Sequence, residues 1–341
     1  MWASRRRIST RNSSRWCSKR RIWSNRLKKA LLFPRRLPII KNVNDRDALG
    51  IRISRAVGLP PLPHVTVQVM KLIDDPRAST RDFERVITQD AALAAKVLRM
   101  ANSAYYGGNG RISTVSRAIA VLGMNTIRTI VMSLTFHAMV HARQRKSRFN
   151  RQEYWRHSLA TAIAGRVLAR LKRSKWDEAL KRSKWDEEVF LAGLLHDIGK
   201  LIADQFLPEE MDVFISRSME ITSGTVEEVL ALESKVLGFT HTELGEFAAQ
   251  KWNLPASIRA GIACHHDPAR ADKEFFEPAA LVHAANCLVN QAEIGVLIPG
   301  IQHEIDPAVK EFLAIPEEQY EPIRLVVAKE VIEAQAAFGV M

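Results

Sequence analysis

Cysteine is scarce in this chain of 341 residues, which holds only Cys17, Cys264 and Cys287. These positions give neither the paired spacing of a metal knuckle nor the even count of a disulfide framework. A sparse, odd number suits a reducing compartment, so a cytoplasmic protein is the expectation. Long apolar runs are missing as well. The longest nearly uncharged stretch, residues 129–140, falls short of the roughly 20 apolar residues that a membrane-crossing helix needs, and no membrane span is expected. No segment of useful length alternates apolar and polar residues, which argues against a sheet-based fold. Acidic side chains are absent from residues 1–41, which carry fourteen Lys and Arg.

That one-sided tail accounts for the formal net charge of +13, because the remaining 300 residues hold 36 basic and 37 acidic side chains. Residues 1–50 are read as a disordered basic extension or as upstream sequence translated from a misplaced start. No methionine lies between Met1 and Met70, so an alternative start would use another codon, for example at Val43 or Leu49. The tail also has the Arg-rich, Ser-rich, acid-free look of an organellar transit peptide. Trp2, Trp16 and Trp23 among its arginines are the mixture that a phosphate backbone with stacked bases could use, but nucleic-acid binding is the weaker expectation.

What is there in quantity is helical periodicity, in a chain with 47% hydrophobic residues. Between Thr80 and Met100 the apolar positions Phe83, Val86, Ile87, Leu93, Ala94, Val97 and Leu98 recur every three or four residues and are split at Asp90, predicting two amphipathic helices. Ser79 and Asp82 predict a capping box, and Asp75-Pro76 the end of the preceding helix. Longer helices are expected over 125–143 and 152–171, with a glycine-rich break at Tyr105-Tyr106-Gly107-Gly108-Asn109-Gly110. The fold class is all-α, an irregular multi-helix bundle. A nine-residue repeat, Leu171–Ala179 and again Leu180–Glu188, is too short for a repeat fold. It reads as a local tandem duplication, the alternative being a docking site built on Trp176 and Trp185.

Chemistry concentrates in four short motifs. His196-Asp197 follow the apolar run 189–195 and precede Ile198-Gly199-Lys200, and they read as successive positions of a helix, about 100° apart, so that both face one ion only from the edges of a shared face. Alone, the pair could be a capped or salt-bridged helix end, since charged residues are seldom buried without a partner. Imidazole and carboxylate are also ligands for divalent metals, and Lys200, one helical turn on, could meet a phosphate. His157 lies in Glu153-Tyr154-Trp155-Arg156-His157-Ser158. His241 lies behind a capping box, Thr240 to Glu243. His265-His266 close a helix that Pro255 opens and Pro268 ends. The isolated His64, His137, His141, His283 and His303 are expected to be solvent-facing or packed.

Together these motifs resemble the HD superfamily of metal-dependent phosphohydrolases, in which a first histidine, a His-Asp pair, later histidines and a final aspartate converge between helices. The upstream segment from Leu59 to about Val140 is similar to the start of an HDOD domain, the HD-related output domain of bacterial signalling proteins. Asp90-Ala91-Ala92-Leu93, Arg99-Met100-Ala101-Asn102-Ser103-Ala104 and Ala118-Ile119-Ala120-Val121-Leu122-Gly123 carry this likeness. It implies an HDOD domain over 51–341, made of an N-terminal helical subdomain (51–145), an HD-like helical subdomain (146–300) and a C-terminal helical segment (301–341). It also implies a metal ligand set of His157, His196, Asp197, His241, His265, His266 and Asn286.

Two departures bear on activity. Where metal-dependent members bring in an aspartate after the paired histidines, the matching stretch Ala280–Leu288 offers Asn286, whose amide carries no charge. Asp197 is then expected to be the sole carboxylate among neutral imidazoles, which suits one divalent ion (iron, manganese or zinc) or none better than two. The Gly-Tyr-Pro signature of the HD-GYP relatives, which cleave cyclic di-GMP, is absent after His265-His266. The expected function is therefore bacterial signal transduction by binding through a degenerate HD-type pocket. The partner is a signalling protein or a nucleotide second messenger. The alternative is a metal-dependent phosphohydrolase acting on a nucleotide or phosphate ester, with Asp197 and Lys200 as its catalytic residues and Lys200 holding phosphate. No receiver, kinase or GGDEF-like pattern is seen, so any sensor is expected on a separate polypeptide. Oligomeric state has no signature here.

Overall fold

The structure is a computed structural model that describes residues 53–54, 59, 61–75, 77–108, 111–142, 147–173 and 179–339. The readings of the basic tail, of Pro76, of Asn109-Gly110 and of Ser174–Glu178 lie outside the described residues. Helices dominate. Helix α1 (His64–Asp74), α2 (Thr80–Thr88) and α3 (Ala91–Ala101) follow the predicted breaks. The capping box of Ser79 and Asp82 opens α2, and the Asp90 carboxylate accepts the Leu93 amide to open α3. Both are start signals readable in the sequence, because a side-chain oxygen there satisfies an amide that the helix itself cannot.

Helix α4 (Val115–Leu122) and α5 (Met124–Val140) are separated by Gly123, whose φ of +84° a side chain would resist. No single helix among the described residues is long and apolar enough to cross a membrane. The α4–α5 pair passes by composition but is bent by 118°. Helix α5 is buried continuously from Thr126 to Phe136, as an inner helix must be when its whole circumference is covered. It starts one residue before the predicted range and stops at Val140, short of the predicted 143.

The second half is assembled around α6 (Arg151–Arg173), α7 (Ala179–Leu195) and α13 (Phe276–Gln291), which pack on one another, with α12 (Ala256–Cys264) packed on α7 and α13. Helix α13 is buried at every position from Pro278 to Val289. Trp155 and Tyr154 at the start of α6 are fully buried against Phe136 of α5. This contact joins the two halves, and residues 46–341 form one unit. Helices α8 (Ile198–Phe206), α9 (Pro208–Ser218), α10 (Val226–Leu237) and α11 (His241–Lys251) lie between α7 and α12 in the chain, with α8 packed on α11. Helices α14 (Pro307–Leu313) and α15 (Tyr320–Phe338) follow, α15 lying against α6. A two-residue parallel ladder, β1 (Gly224–Thr225) with β2 (Ile301–Gln302), pairs Gly224 with Ile301 and Thr225 with Gln302. It ties the start of α10 to the loop after α13.

Three local expectations are corrected. His196 and Asp197 are not on a helix: α7 stops at Leu195 and Asp197 occupies the cap position of α8. The pair therefore sits in a joint, where two successive side chains escape the 100° separation a helix would impose. Pro255 caps α12 and does not stand at its first helical position, since its ψ of 147° is extended. Trp185 is half-buried on the core, which removes it as an exposed anchor of the duplicated segment.

Candidate metal centre and ligand pocket

The joint between α7 and α8 points Asp197 into a buried cluster supplied by four other elements. His157 comes from the second turn of α6, His241 from the first residue of α11, His265 and His266 from the end of α12, and Asn286 from the middle of α13. Close approach at the joint depends on Gly199. A Cβ there would collide with the His241 carbonyl and stand 2.7–2.8 Å from the His241 carbonyl carbon and Cα, so only glycine lets α8 and α11 begin side by side.

The Asp197 carboxylate faces two ways. Its Oδ1 lies 3.1 Å from His241 Nε2 and 3.7 Å from His265 Nε2, while Oδ2 lies 3.4 Å from His196 Nε2, 4.0 Å from His157 Nε2 and 2.7 Å from Lys200 Nζ. Two groups of side chains of the kind that can ligate a metal share it: Asp197 with His241, His265 and His266, and Asp197 with His157 and His196. Within each group the ligand atoms all lie within 4.8 Å of one another. Burial would raise the Asp197 pKa, but His196, Lys200 and His241 together hold it well below the usual carboxylate range. Burial also pushes His157, His265 and His266 below an ordinary imidazole, and His196 down to about 3. These rings are neutral at pH 7 and have lone pairs to give. His241 is the exception: burial pulls it down, and the Glu233 carboxylate more than compensates, so it is raised.

Backbone contacts fix which nitrogen is free. His196 Nδ1 donates to the Gly193 carbonyl at 2.7 Å and His265 Nδ1 to the Ile262 carbonyl at 2.9 Å. A carbonyl only accepts, so in each neutral ring Nε2 carries no proton and aims its lone pair inward. His196 Nε2 is buried with no hydrogen-bond partner. His241 Nε2 stands 3.4 Å from His265 Nε2 and 3.1 Å from His266 Nε2. Ligands about 2.1 Å from a common ion in tetrahedral array stand about 3.4 Å apart. Three imidazoles and one carboxylate, two of the rings oriented by a carbonyl or carboxylate behind them, therefore fit a divalent cation such as zinc, manganese or iron.

The other side of Asp197 is built differently. His157 Nε2 is 3.0 Å from Asn286 Oδ1, and Asn290 donates to that same oxygen at 2.8 Å. The Asn290 amide also donates to the Asn286 carbonyl at 2.9 Å, which fixes its orientation. His157 Nδ1 also faces an acceptor, the Ile294 carbonyl at 3.4 Å, and a neutral ring has one proton for two acceptors; the shorter contact, Nε2 to Asn286 Oδ1, favours the proton on Nε2. A protonated Nε2 has no lone pair for a metal. The second group is thus tied up in its own hydrogen bonds.

Glu233, on α10, was not among the candidates. It is fully buried, and its Oε2 accepts both the ring Nδ1–H of His241 at 2.7 Å and the His241 amide at 2.8 Å. Asp197 is the one carboxylate in the two ligand groups, and Glu233 adds a second acid behind His241. Its trace in the sequence is an acid on the apolar stripe Val226, Val229, Leu230, Glu233, Leu237, a position that would otherwise be aliphatic. Carboxylates behind a ligating histidine typically govern metal affinity by 10- to 100-fold. Glu233→Gln is expected to raise by about that factor the metal concentration needed to shift the melting temperature. An unshifted midpoint would count against this role.

A cleft opens over the cluster, with a cavity of about 60 Å³ at its base. Lys200, His157, Asp197, His241, His266, Asn286 and Asn290 line it, and so does His303. Burial, with His157 and Lys200 nearby, lowers His303 to about 4. Of the histidines expected to be solvent-facing or packed, His303 departs from that description by facing the cleft. His64 is exposed, His137 and His141 stack on each other, and His283 is buried with Nδ1 donating to the His265 carbonyl at 2.8 Å. No local motif marks His303; the loop after α13 delivers it.

An all-helical domain carrying a buried histidine–aspartate cluster defines the HD class of folds, and comparison narrows this. The HDOD domain profile matches residues 59–268, and the chain belongs to the HDOD family. An uncharacterized protein of Treponema pallidum (strain Nichols) is 25% identical over 231 residues, 68% of this chain and 42% of that protein, so the chain spans about two-fifths of this relative's length. An HDOD domain protein of unknown function from Geobacter sulfurreducens shares the fold with a TM-score of 0.65 at 22% identity, over 87% of this chain and 98% of that one. A Marinobacter aquaeolei VT8 protein, provisionally named a signal transduction protein, does so with a TM-score of 0.64 at 22% identity, over 93% and 65%.

Proposed function

We propose that the protein is a signalling component that binds one divalent ion, and through it a phosphate-class anion, without hydrolysing a phosphodiester. The residues that would hold the ion are Asp197, His241, His265 and His266. Bound there, the ion would supply the positive charge that the protein lacks on its own. Lys200 already pairs with Asp197 at 2.7 Å, and His241 is balanced by Glu233, so the cluster without metal is close to neutral. Lys200 keeps two further N–H groups for an anion. The signalling role is drawn from the family and from the name given to the Marinobacter protein. A partner protein that reads the occupied pocket belongs to the same reading.

The observation that favours binding over turnover is the closed His157–Asn286–Asn290 set. It occupies the place where a second ion would be needed to stabilise both the attacking and the leaving oxygen. The test is metal analysis of the purified full-length chain, followed by phosphate binding and assays on phosphodiester and nucleotide panels. One ion per chain, phosphate binding lost on chelation, and no turnover are the expected results. Metal-supported hydrolysis that disappears in Asp197→Ala would establish the phosphohydrolase reading instead. Asn286→Asp restores a charge and is expected to raise the metal stoichiometry from one towards two per chain. An unchanged stoichiometry would show that His157 is not held back by Asn286.

A further inference from the structure

The upper wall of the cleft has a chemistry that the metal cluster does not explain. Val226, Val229 and Leu230 of α10 face Leu297, Ile298 and Ile301 of the loop after α13, all lining the cleft and all half-buried. This wall is built in, not incidental. The ladder of Gly224–Thr225 with Ile301–Gln302 fastens one end of the loop to α10. Gly295 fastens the other: its φ is +68°, and a Cβ there would strike the backbone of His157 and Glu153, so the loop lies directly on α6 beside the cluster.

Among the described lining residues there is no Phe, Tyr or Trp and no Arg. Bases are usually gripped by stacking on aromatic rings or guanidinium planes and by hydrogen bonds to their edges. Here the imidazoles other than His303 belong to the cluster, and Asn290 spends its Nδ2 on the Oδ1 and the backbone carbonyl of Asn286. A nucleotide would find one stray ring and six aliphatic side chains. A dinucleotide would also bring two phosphates to a single lysine.

We infer that the pocket takes a compact aliphatic anion with one charged end, a phosphate or carboxylate head against Lys200 and the metal cluster with a short hydrocarbon body between α10 and the 295–301 loop. The inference rests on the anion-binding reading above and names the ligand class for that site. Each methylene moved from water into such a wall is worth about 0.8 kcal/mol, or about fourfold in affinity.

The test is calorimetric titration of the metal-loaded full-length protein with inorganic phosphate, methyl to hexyl phosphate, the matching alkanoates, AMP and cyclic di-GMP. Affinity is expected to climb about two- to fourfold per carbon and to exceed that for both nucleotides. The phosphate and carboxylate arms tell which head the site prefers. Leu230→Asn and Ile298→Asn, both on the half-exposed wall, should flatten the chain-length dependence while leaving inorganic phosphate affinity and melting temperature in place. Phosphate binding with no gain from the chain, or a nucleotide that outcompetes hexyl phosphate, would overturn the inference and leave the anion site standing. Failure of the metal-loaded wild-type protein to bind any of these anions would overturn both.

Discussion

Adding a single methyl group at Gly199 is expected to remove metal binding and to destabilise the fold by about 1–3 kcal/mol, the usual cost of overpacking a rigid site. Helix propensity alone predicts the opposite sign, because alanine is favoured over glycine inside a helix by about 1 kcal/mol. The deciding fact is what the methyl group meets. Its neighbours are the carbonyl oxygen, carbonyl carbon and Cα of His241, all backbone at the capped start of α11, and none can rotate away. The two helix starts must separate, carrying Asp197 away from His241 Nε2. Denaturant unfolding and metal analysis of Gly199→Ala check this together. A variant more stable than wild type with metal still bound would mean that the contact between α8 and α11 is loose.

Asp197→Ala is expected to abolish the stabilisation that metal confers while leaving a folded protein. A ligand present at 100 times its dissociation constant raises stability by about 2.7 kcal/mol when it binds only the native state, so wild type should show a clear rise in melting temperature with added zinc or manganese. The variant should show none, because both groups of ligands lose the one carboxylate they share. Lys200, left without its partner, is 18% exposed and can turn its ammonium to water. A metal-dependent shift of wild-type size in Asp197→Ala would place the ion elsewhere.

Much of this was legible in the chain itself. The capping boxes at Ser79 and Thr240 announce their helices because the two side chains that satisfy orphan amides are three residues apart in sequence. The four histidine motifs were visible for a similar reason: each donor stands beside other unusual residues. Glu233 and His303 were not singled out, since one reaches His241 across a helix–helix turn and the other arrives on a loop whose path only packing determines. The joint at His196-Asp197 was misread as helix because the apolar run before it and the amphipathic residues after it are each helical, and nothing local records the change of direction. The aliphatic wall was hidden in the same way. Its two sides are about seventy residues apart and meet through a ladder of two residues each.

The split orientation of Asp197 couples the two halves of the cluster. One carboxylate oxygen serves His241 and His265, the other His157, His196 and Lys200. A change on the second oxygen's side reaches the first side through this shared carboxylate and through the contact of His196 with His265. Losses on the two sides should therefore combine non-additively, because His196 on one side packs on His265 of the other at 4.8 Å and both face Asp197. The two halves of the cluster thus answer to one hinge, and a change in either is felt in both.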